Sequence, residues 1–121
     1  MARVFTLEEA RVVLPQVQAV TRPVFELASS MAEELQAAED REEEDRVESL
    51  QTRLESLMES WADAVRALGP DVKGPRLVDF DSGDGYWCWA FPEEDLDHWH
   101  DYEGGFSSRI PVALKPGVRH G

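Results

Sequence analysis

The sequence predicts an α+β protein in which a long antiparallel helical hairpin is followed by a small antiparallel three-stranded β-meander. Apolar residues recur at alternating spacings of four and three over the first part of the chain, which is typical of helices. After Pro75 the apolar period changes to two, which is typical of strands. We therefore assign the hairpin to residues 6–69 and the meander to residues 75–101. With 121 residues, the chain has the size of one domain.

The first helix is predicted to begin at Thr6, because Thr6 and Glu9 have the spacing of a capping box. Pro15 and Pro23 lie inside the helical pattern, and each removes a backbone donor and crowds the preceding turn. The pattern persists through both prolines, so we expect a bent rod rather than a break. The apolar stripe, in which Thr21 is the only polar member, comprises Ala10, Leu14, Val17, Val24, Ala28, Met31 and Leu35.

The second helix is predicted to start near Val47 and to end at Gly69-Pro70, a typical C-terminal stop. Residues 33–48 between the two stripes contain nine acidic and two basic residues, so the chain is expected to reverse there. Two such helices expose more apolar surface than one partner helix can cover. The rest of this surface must be covered by the β-layer, by a second copy of the chain or by another protein. Self-association is the most economical of these, so the sequence predicts a homodimer or a complex with another protein.

Two runs of alternating residues, 76–80 and 86–91, flank a turn-rich segment at residues 82–85 and predict a β-hairpin. The predicted register places Asp81 opposite Tyr86, Asp79 opposite Cys88 and Leu77 opposite Ala90. The other face is the expected core and carries Val78, Phe80, Trp87, Trp89 and Phe91. A third strand is predicted over residues 96–100. Residues 102–112 then form an ordered loop that completes a domain of residues 1–112, and residues 113–121 form a flexible tail.

The composition argues against several kinds of partner and compartment. A formal net charge of −13 repels phosphates, so neither nucleic acid nor an anionic membrane is an expected partner. Cys88 is the only cysteine and allows no intrachain disulfide. The sequence contains no apolar run of signal-peptide or membrane-spanning length. We expect a cytoplasmic protein.

Several short groups of residues, taken in order, resemble an uncharacterised bacterial family, the domain of unknown function 2203. The groups are Phe5-Thr6-Leu7-Glu8-Glu9-Ala10 with Leu14-Pro15, Val78-Asp79-Phe80, Cys88-Trp89, Trp99-His100, Gly105-Phe106, and Arg109 with Pro111. The succession of the Cys-Trp, Trp-His and Gly-Phe pairs is the most specific part of a resemblance that covers roughly residues 4–112. The resemblance implies a small bacterial protein, but it brings no reaction, substrate or catalytic residue. The chain departs from the pattern at Pro92-Glu93 and at His98, so a metal role transfers less readily to His98 than to His100.

Residues 79–103 are the most unusual stretch, with nine carboxylates, two histidines, one cysteine and no lysine or arginine. These side-chain types coordinate divalent cations such as Zn, Fe, Ni or Mn. The candidate ligands are His98, His100, Asp79, Asp81, Cys88, Asp101 and Glu103. Arg109 follows this stretch, and we expect it to pair with a carboxylate and hold the loop at residues 104–106.

The face on which the histidines lie depends on the register of the third strand. If Trp99 faces the aromatic core, His98 and His100 lie beside the row of Asp79, Asp81 and Cys88. Pairing of Cys88 with Trp99 instead puts the histidines among the tryptophans. A purely structural interpretation also fits: the acids form a solvated face, Cys88 packs as a small apolar residue, and His100 holds a turn.

The sequence contains no recognisable catalytic motif. We therefore expect a non-enzymatic interaction or scaffold protein that assembles through its helical hairpin, and no cofactor. The alternative is a divalent-metal-binding protein whose site of His, Asp and Cys residues lies on the β-meander.

Overall fold

The computed structural model describes residues 3–117, in which two helices precede one antiparallel sheet. The helices are α1 (Leu7–Asp40) and α2 (Glu44–Ala67), and they pack against each other as the predicted hairpin. The prediction of a three-stranded meander is wrong, because the sheet has five strands that follow one another in sequence order. The strands are β1 (Asp71–Gly74), β2 (Leu77–Asp81), β3 (Gly85–Ala90), β4 (His98–Asp101) and β5 (Ile110–Pro111).

Helix α1 begins at the predicted capping box and runs without a break for 34 residues. Thr6 Oγ1 accepts a hydrogen bond from the Glu9 amide, and the Glu9 carboxylate accepts one from the Thr6 amide. Pro15 and Pro23 are both exposed, so the carbonyl groups that lose their helical donor lie on the solvent side. The chain reverses at residues 41–43, inside the acidic segment.

Helix α2 stops where Gly69 follows it, as predicted from the Gly-Pro pair. Gly69 has a φ angle of 114°, which residues other than glycine rarely adopt. A Cβ atom at this position would lie 2.8 Å from the Phe5 ring, so packing also favours glycine. The stop lets the chain turn directly into β1.

The two additional strands lie at the edges of the sheet and carry little sequence signal. Strand β1 is four residues long, alternates between exposed and half-buried residues, and ends at a glycine. Strand β5 has two residues, one of which is a proline that cannot donate to a ladder. The predicted third strand, residues 96–100, corresponds to β4 but begins two residues later than predicted. Leu96 lies in the connection before β4 and is buried there.

The core lies between the first half of α1, the second half of α2 and the aromatic face of the sheet. Trp87 and Trp89 on β3 and Trp99 on β4 all contribute to it, as does Trp61 on α2. The indole of Trp61 donates a hydrogen bond of 2.8 Å to Thr21 Oγ1, whose hydroxyl in turn donates to the Val17 carbonyl. The one polar member of the α1 stripe is therefore satisfied inside the core.

The hairpin extends beyond this core as a two-helix arm, residues 29–57. Met31, Ala38 and Leu50 are buried in the arm, but none of them belongs to the core cluster shared with the sheet. Neither helix within residues 3–117 is apolar enough over a sufficient length to cross a membrane.

Residues 113–117 include the end of a 3₁₀ turn (Val112–Leu114), and Lys115 Nζ lies 2.7 Å from a carboxylate oxygen of Asp84. The remaining part of the predicted flexible tail, residues 118–121, lies outside the described residues.

Candidate metal centre

The face of the sheet that points away from the helices carries two polar rows. Cross-strand pairing places Asp71, Asp79, Cys88 and His98 in one row. Asp81, Tyr86 and His100 form the next row. The predicted β2–β3 register is confirmed, and Trp99 pairs with Trp87 on the core face. The alternative register, with Cys88 opposite Trp99, is wrong.

Three of the seven predicted ligand residues come together on this face. The side chains of Asp79, Cys88 and His100 each offer one ligand atom, and these atoms lie within 4.8 Å of one another. All three residues are at most 3% exposed. The group draws one residue from each of three neighbouring strands, so only the folded sheet assembles it.

The other four candidates lie elsewhere. Asp81 accepts hydrogen bonds from the Tyr102 hydroxyl and the Gly83 amide, and Asp101 accepts one from the Gly104 amide. Glu103 is exposed. His98 pairs with Cys88 across the strands but is half-buried, and its Nδ1 atom lies 3.8 Å from Glu93 Oε2. The structure therefore does not bring these residues into the group.

The hydrogen bonds of His100 define which of its nitrogens faces the group. Nδ1 lies 2.7 Å from the Asp101 carbonyl oxygen, which can only accept, so Nδ1 carries a hydrogen. Nε2 lies 2.9 Å from Asp79 Oδ2. One proton is therefore shared between this nitrogen and the Asp79 carboxyl group. Burial raises the pKa of Asp79, an effect that the nearby His100 partly offsets.

The second carboxylate oxygen of Asp79 is buried, and no group within residues 3–117 donates a hydrogen bond of normal geometry to it. A hydrogen bond from the neighbouring Cys88 thiol lowers the Asp79 pKa, but a thiol is a weak donor. Burial and the Asp79 carboxylate raise the pKa of Cys88 to about 12. The thiol is therefore neutral at physiological pH and is poorly suited to act as a nucleophile.

A cavity of about 250 Å³ lies over the group, and all three side chains contribute to its wall. Leu77, Tyr86 and Phe106 form apolar and aromatic parts of the wall. Tyr86 contacts the His100 ring at a centroid distance of 5.4 Å. The cavity places open space beside the three side chains, which themselves are at most 3% exposed.

The loop above the cavity is held by an ion pair. Arg109 donates two hydrogen bonds to the Glu93 carboxylate, at 2.9 and 2.6 Å, and its guanidinium lies 4.3 Å from the centroid of the Phe106 ring. The expectation that Arg109 pairs with a carboxylate is confirmed.

Several residues that line the cavity are not among the ligands predicted from the sequence. The strand alternation already placed Tyr86 on the polar face, so that residue could have been included. Lys73 lines the cavity from β1, and Phe106 and Gly105 line it from the loop. Their positions depend on an edge strand and a loop path that local patterns do not predict.

The comparisons with known proteins point to one family. Neither a curated protein nor a solved structure matches the chain. The model of the family DUF2203, described as an uncharacterized conserved protein, matches residues 3–112, which include both helices, all five strands and the Asp79, Cys88 and His100 group. The chain therefore belongs to this family, the domain of unknown function 2203.

Proposed function

We propose that this protein binds one divalent transition-metal ion, preferentially Zn²⁺, through Asp79, Cys88 and His100. The observation that carries the proposal is the buried carboxylate oxygen of Asp79, which accepts no hydrogen bond of normal geometry within residues 3–117 and lies beside a weakly donating thiol and an imidazole nitrogen. A buried polar atom without a partner is costly, and an ion bound by all three groups would remove that cost.

The types of donor favour zinc among the candidate metals. A thiolate and an imidazole are preferred ligands of Zn²⁺, whereas Mn²⁺ prefers sites built from oxygen. Fe²⁺ and Ni²⁺ accept the same donors, but in a typical site Fe²⁺ binds less tightly than Zn²⁺. With Asp79 and Cys88 both deprotonated, the two negative charges balance the ion. Such a neutral group is suited to a buried position.

The partner of the remaining His100 nitrogen also supports the proposal. In metal sites the nitrogen of a histidine that does not bind the metal commonly donates to a backbone carbonyl or a carboxylate, which orients the ring. The hydrogen bond from Nδ1 to the Asp101 carbonyl has this form and leaves the Nε2 lone pair free for an ion.

A structural role for the Asp79–His100 hydrogen bond is the competing explanation, because the bond connects β2 to β4 across β3. This role requires neither the Cys88 thiol nor the unpartnered Asp79 oxygen. It also predicts that adding a metal leaves the stability unchanged.

The decisive experiment is elemental analysis of the protein purified without an affinity tag. We expect close to one zinc ion per chain and a lower melting temperature after chelation. The His100→Ala variant should lose the metal, whereas the matched His98→Ala variant should keep it. Metal-free protein whose melting temperature changes neither on chelation nor on addition of zinc would refute the proposal. Cys88→Ser conserves the side-chain size, so it tests the thiol even if His100→Ala folds poorly.

We propose as a second candidate function that the protein assembles through the arm at residues 29–57. Leu35, Val47, Leu54 and Leu57 are only half-buried there, because each helix of the arm has just the other to pack against. The nearby Leu27 is 51% exposed. A second pair of helices would cover this surface and complete a four-helix bundle.

The charge of the arm favours an antiparallel homodimer. The arm contains ten acidic and three basic residues, which is more than half of the net charge of the chain. Parallel arms would place two acidic tips together, whereas antiparallel arms separate them.

Light scattering tests this second candidate. We expect a dimer at tens of micromolar, and a monomer for a variant that combines Leu54→Glu and Leu57→Glu. Leu114→Glu is the control, because Leu114 is 69% exposed and lies outside the arm. A wild-type protein that remains a monomer under these conditions would contradict the proposal.

A further inference from the structure

We infer that the cavity above Asp79, Cys88 and His100 binds a small organic carboxylate, whose carboxylate group binds the metal and whose apolar body lies against the aromatic wall. This inference rests on the proposed metal site. It adds the chemical class of ligand that the site accepts.

The number of protein ligands leaves room for such a molecule. Zinc sites that are closed and structural have four protein ligands, whereas sites with three keep one position for water or substrate. Only three candidate ligands converge here within residues 3–117, and all three contribute to the cavity wall. A cavity of about 250 Å³ lies just below the usual range for drug-sized ligands, so it suits a small molecule.

A cation at the cavity wall favours a negatively charged ligand. Lys73 is the one lysine or arginine that lines the cavity in the described part of the chain. Burial alone would lower the pKa of Lys73, but its hydrogen bonds with Asp71 and Tyr86 raise it, so the amine stays charged. Lys73 Nζ lies 3.1 Å from Asp71 Oδ2, so a bound carboxylate would share this amine with Asp71.

Tyr86 supplies a hydrogen-bond donor to the same space. Its hydroxyl oxygen accepts from Lys73 Nζ at 3.3 Å, and the hydroxyl donates to no acceptor within residues 3–117. The phenol hydrogen is therefore available for a ligand oxygen. The exposed Glu103 also lines the cavity and opposes an anion, so replacing it should tighten binding.

The apolar part of the cavity wall favours one kind of organic group attached to the carboxylate. Leu77, Tyr86 and Phe106 present apolar or aromatic surface, which favours an aromatic carboxylate such as benzoate over acetate.

Cobalt provides a direct test, because the visible absorption of bound Co²⁺ reports both metal binding and changes in its coordination. We expect the Co²⁺-loaded protein to change its spectrum on titration with benzoate, at concentrations about tenfold lower than with acetate. Lys73→Met should weaken benzoate binding about tenfold and Glu103→Gln should strengthen it, both with unchanged affinity for Co²⁺. Phe106→Ala should reduce the preference for benzoate over acetate.

The outcomes separate the two proposals. If Co²⁺ binds and the spectrum does not respond to benzoate at tens of millimolar, the carboxylate inference is wrong and the metal site remains. Equal binding of benzoate by wild type and Lys73→Met would also contradict the inference. If Co²⁺ does not bind at all, both proposals fail.

Discussion

His100 Nε2 lies 2.9 Å from Asp79 Oδ2, although the two residues belong to strands that are not neighbours in the sheet. Strand β3 separates them, so the hydrogen bond crosses over it next to Cys88. Both side chains are almost fully buried, at 3% and 2% exposure. Removing one partner therefore leaves the other in a place that water reaches poorly, which makes the pair a sensitive point for stability and for the proposed metal binding.

The first prediction concerns this pair in the metal-free protein. His100→Ala should lower the free energy of unfolding by about 2 to 3 kcal/mol, because it leaves Asp79 buried without a partner. His98→Ala should cost less than about 1 kcal/mol, since His98 is half-buried and makes no close hydrogen bond in the described structure. Urea denaturation in the presence of a chelator measures both. Equal losses for the two variants would show that the pair has no special role.

The second prediction concerns the pH dependence of the same metal-free protein. The pKa of Asp79 is raised above its ordinary value of 3.8, chiefly by burial, so the folded state holds the Asp79 proton more tightly than the unfolded state. The contribution of Asp79 to stability is therefore complete below pH 3.8 and is lost as the pH rises through the folded-state pKa. Relative to Asp79→Asn, whose amide can still donate to His100, the wild type should lose stability across that range. Denaturation curves at several pH values test this, and parallel curves for the two proteins would contradict it.

The third prediction concerns the reactivity of Cys88. Its pKa is raised from 9.0 to about 12 by burial and by Asp79, which lowers the thiolate fraction at pH 8 about a thousandfold. A thiolate of higher pKa is also a better nucleophile, so the metal-free native protein should react with iodoacetamide at least about fiftyfold more slowly than the same protein unfolded in urea. Mass spectrometry of timed samples measures the two rates. A native rate close to the unfolded rate would mean that the thiol is more exposed than the structure indicates.

Much of the fold could be predicted because its signals are local. The Thr6–Glu9 capping box and the acidic reversal each depend on a few adjacent residues, and the β2–β3 register follows from the turn at residues 82–85. Strands β1 and β5 could not be predicted, because their ladders depend on the strands beside them rather than on their own apolar pattern.

The candidate site was predicted only as a larger set of residues. Composition and alternation indicated the polar face, but Asp79 and Asp81 have the same residue type and point to the same side. They differ because Asp79 is buried beside Cys88, whereas Asp81 accepts hydrogen bonds from Tyr102 and Gly83. The hydrogen bond from Tyr102 depends on the path of the chain after β4, which the sequence pattern does not predict.

The fourth prediction concerns Trp61, which combines packing with a hydrogen bond. Its ring meets Phe25 edge to face at 5.0 Å, and its indole nitrogen donates to Thr21. Trp61→Ala should cost about 3 to 5 kcal/mol, since it creates a cavity in the core. Trp61→Phe keeps an aromatic ring but removes the hydrogen bond and should cost roughly 1 to 3 kcal/mol. If both variants melt like the wild type, Trp61 does not contribute to the core as described.

The last prediction concerns the ion pair that holds the loop over the cavity. Burial would raise the pKa of Glu93, but the hydrogen bonds from Arg109 outweigh burial, and the pKa lies below its ordinary value of 4.5. The pair is bidentate and mostly shielded from water, with the two side chains 17% and 25% exposed. Such geometry strengthens an ion pair because fixed, parallel hydrogen bonds replace a mobile contact.

A double-mutant cycle with Arg109→Gln and Glu93→Gln should therefore give a coupling energy of about 1 to 2 kcal/mol. Arg66 and Asp63 form the matched control, because their pair is 3.8 Å long and its side chains are 51% and 81% exposed. The control cycle should give less than about 0.5 kcal/mol, as exposed helical pairs do.

The coupling between Arg109 and Glu93 should also depend on pH. Because the pKa of Glu93 is lowered in the folded state, its contribution to stability is present above the ordinary value of 4.5 and should disappear as the pH falls through the folded-state pKa. A coupling no larger than that of the control would mean that Arg109 does not hold the loop, and the loop should then be as open to proteolysis in the wild type as in Arg109→Gln.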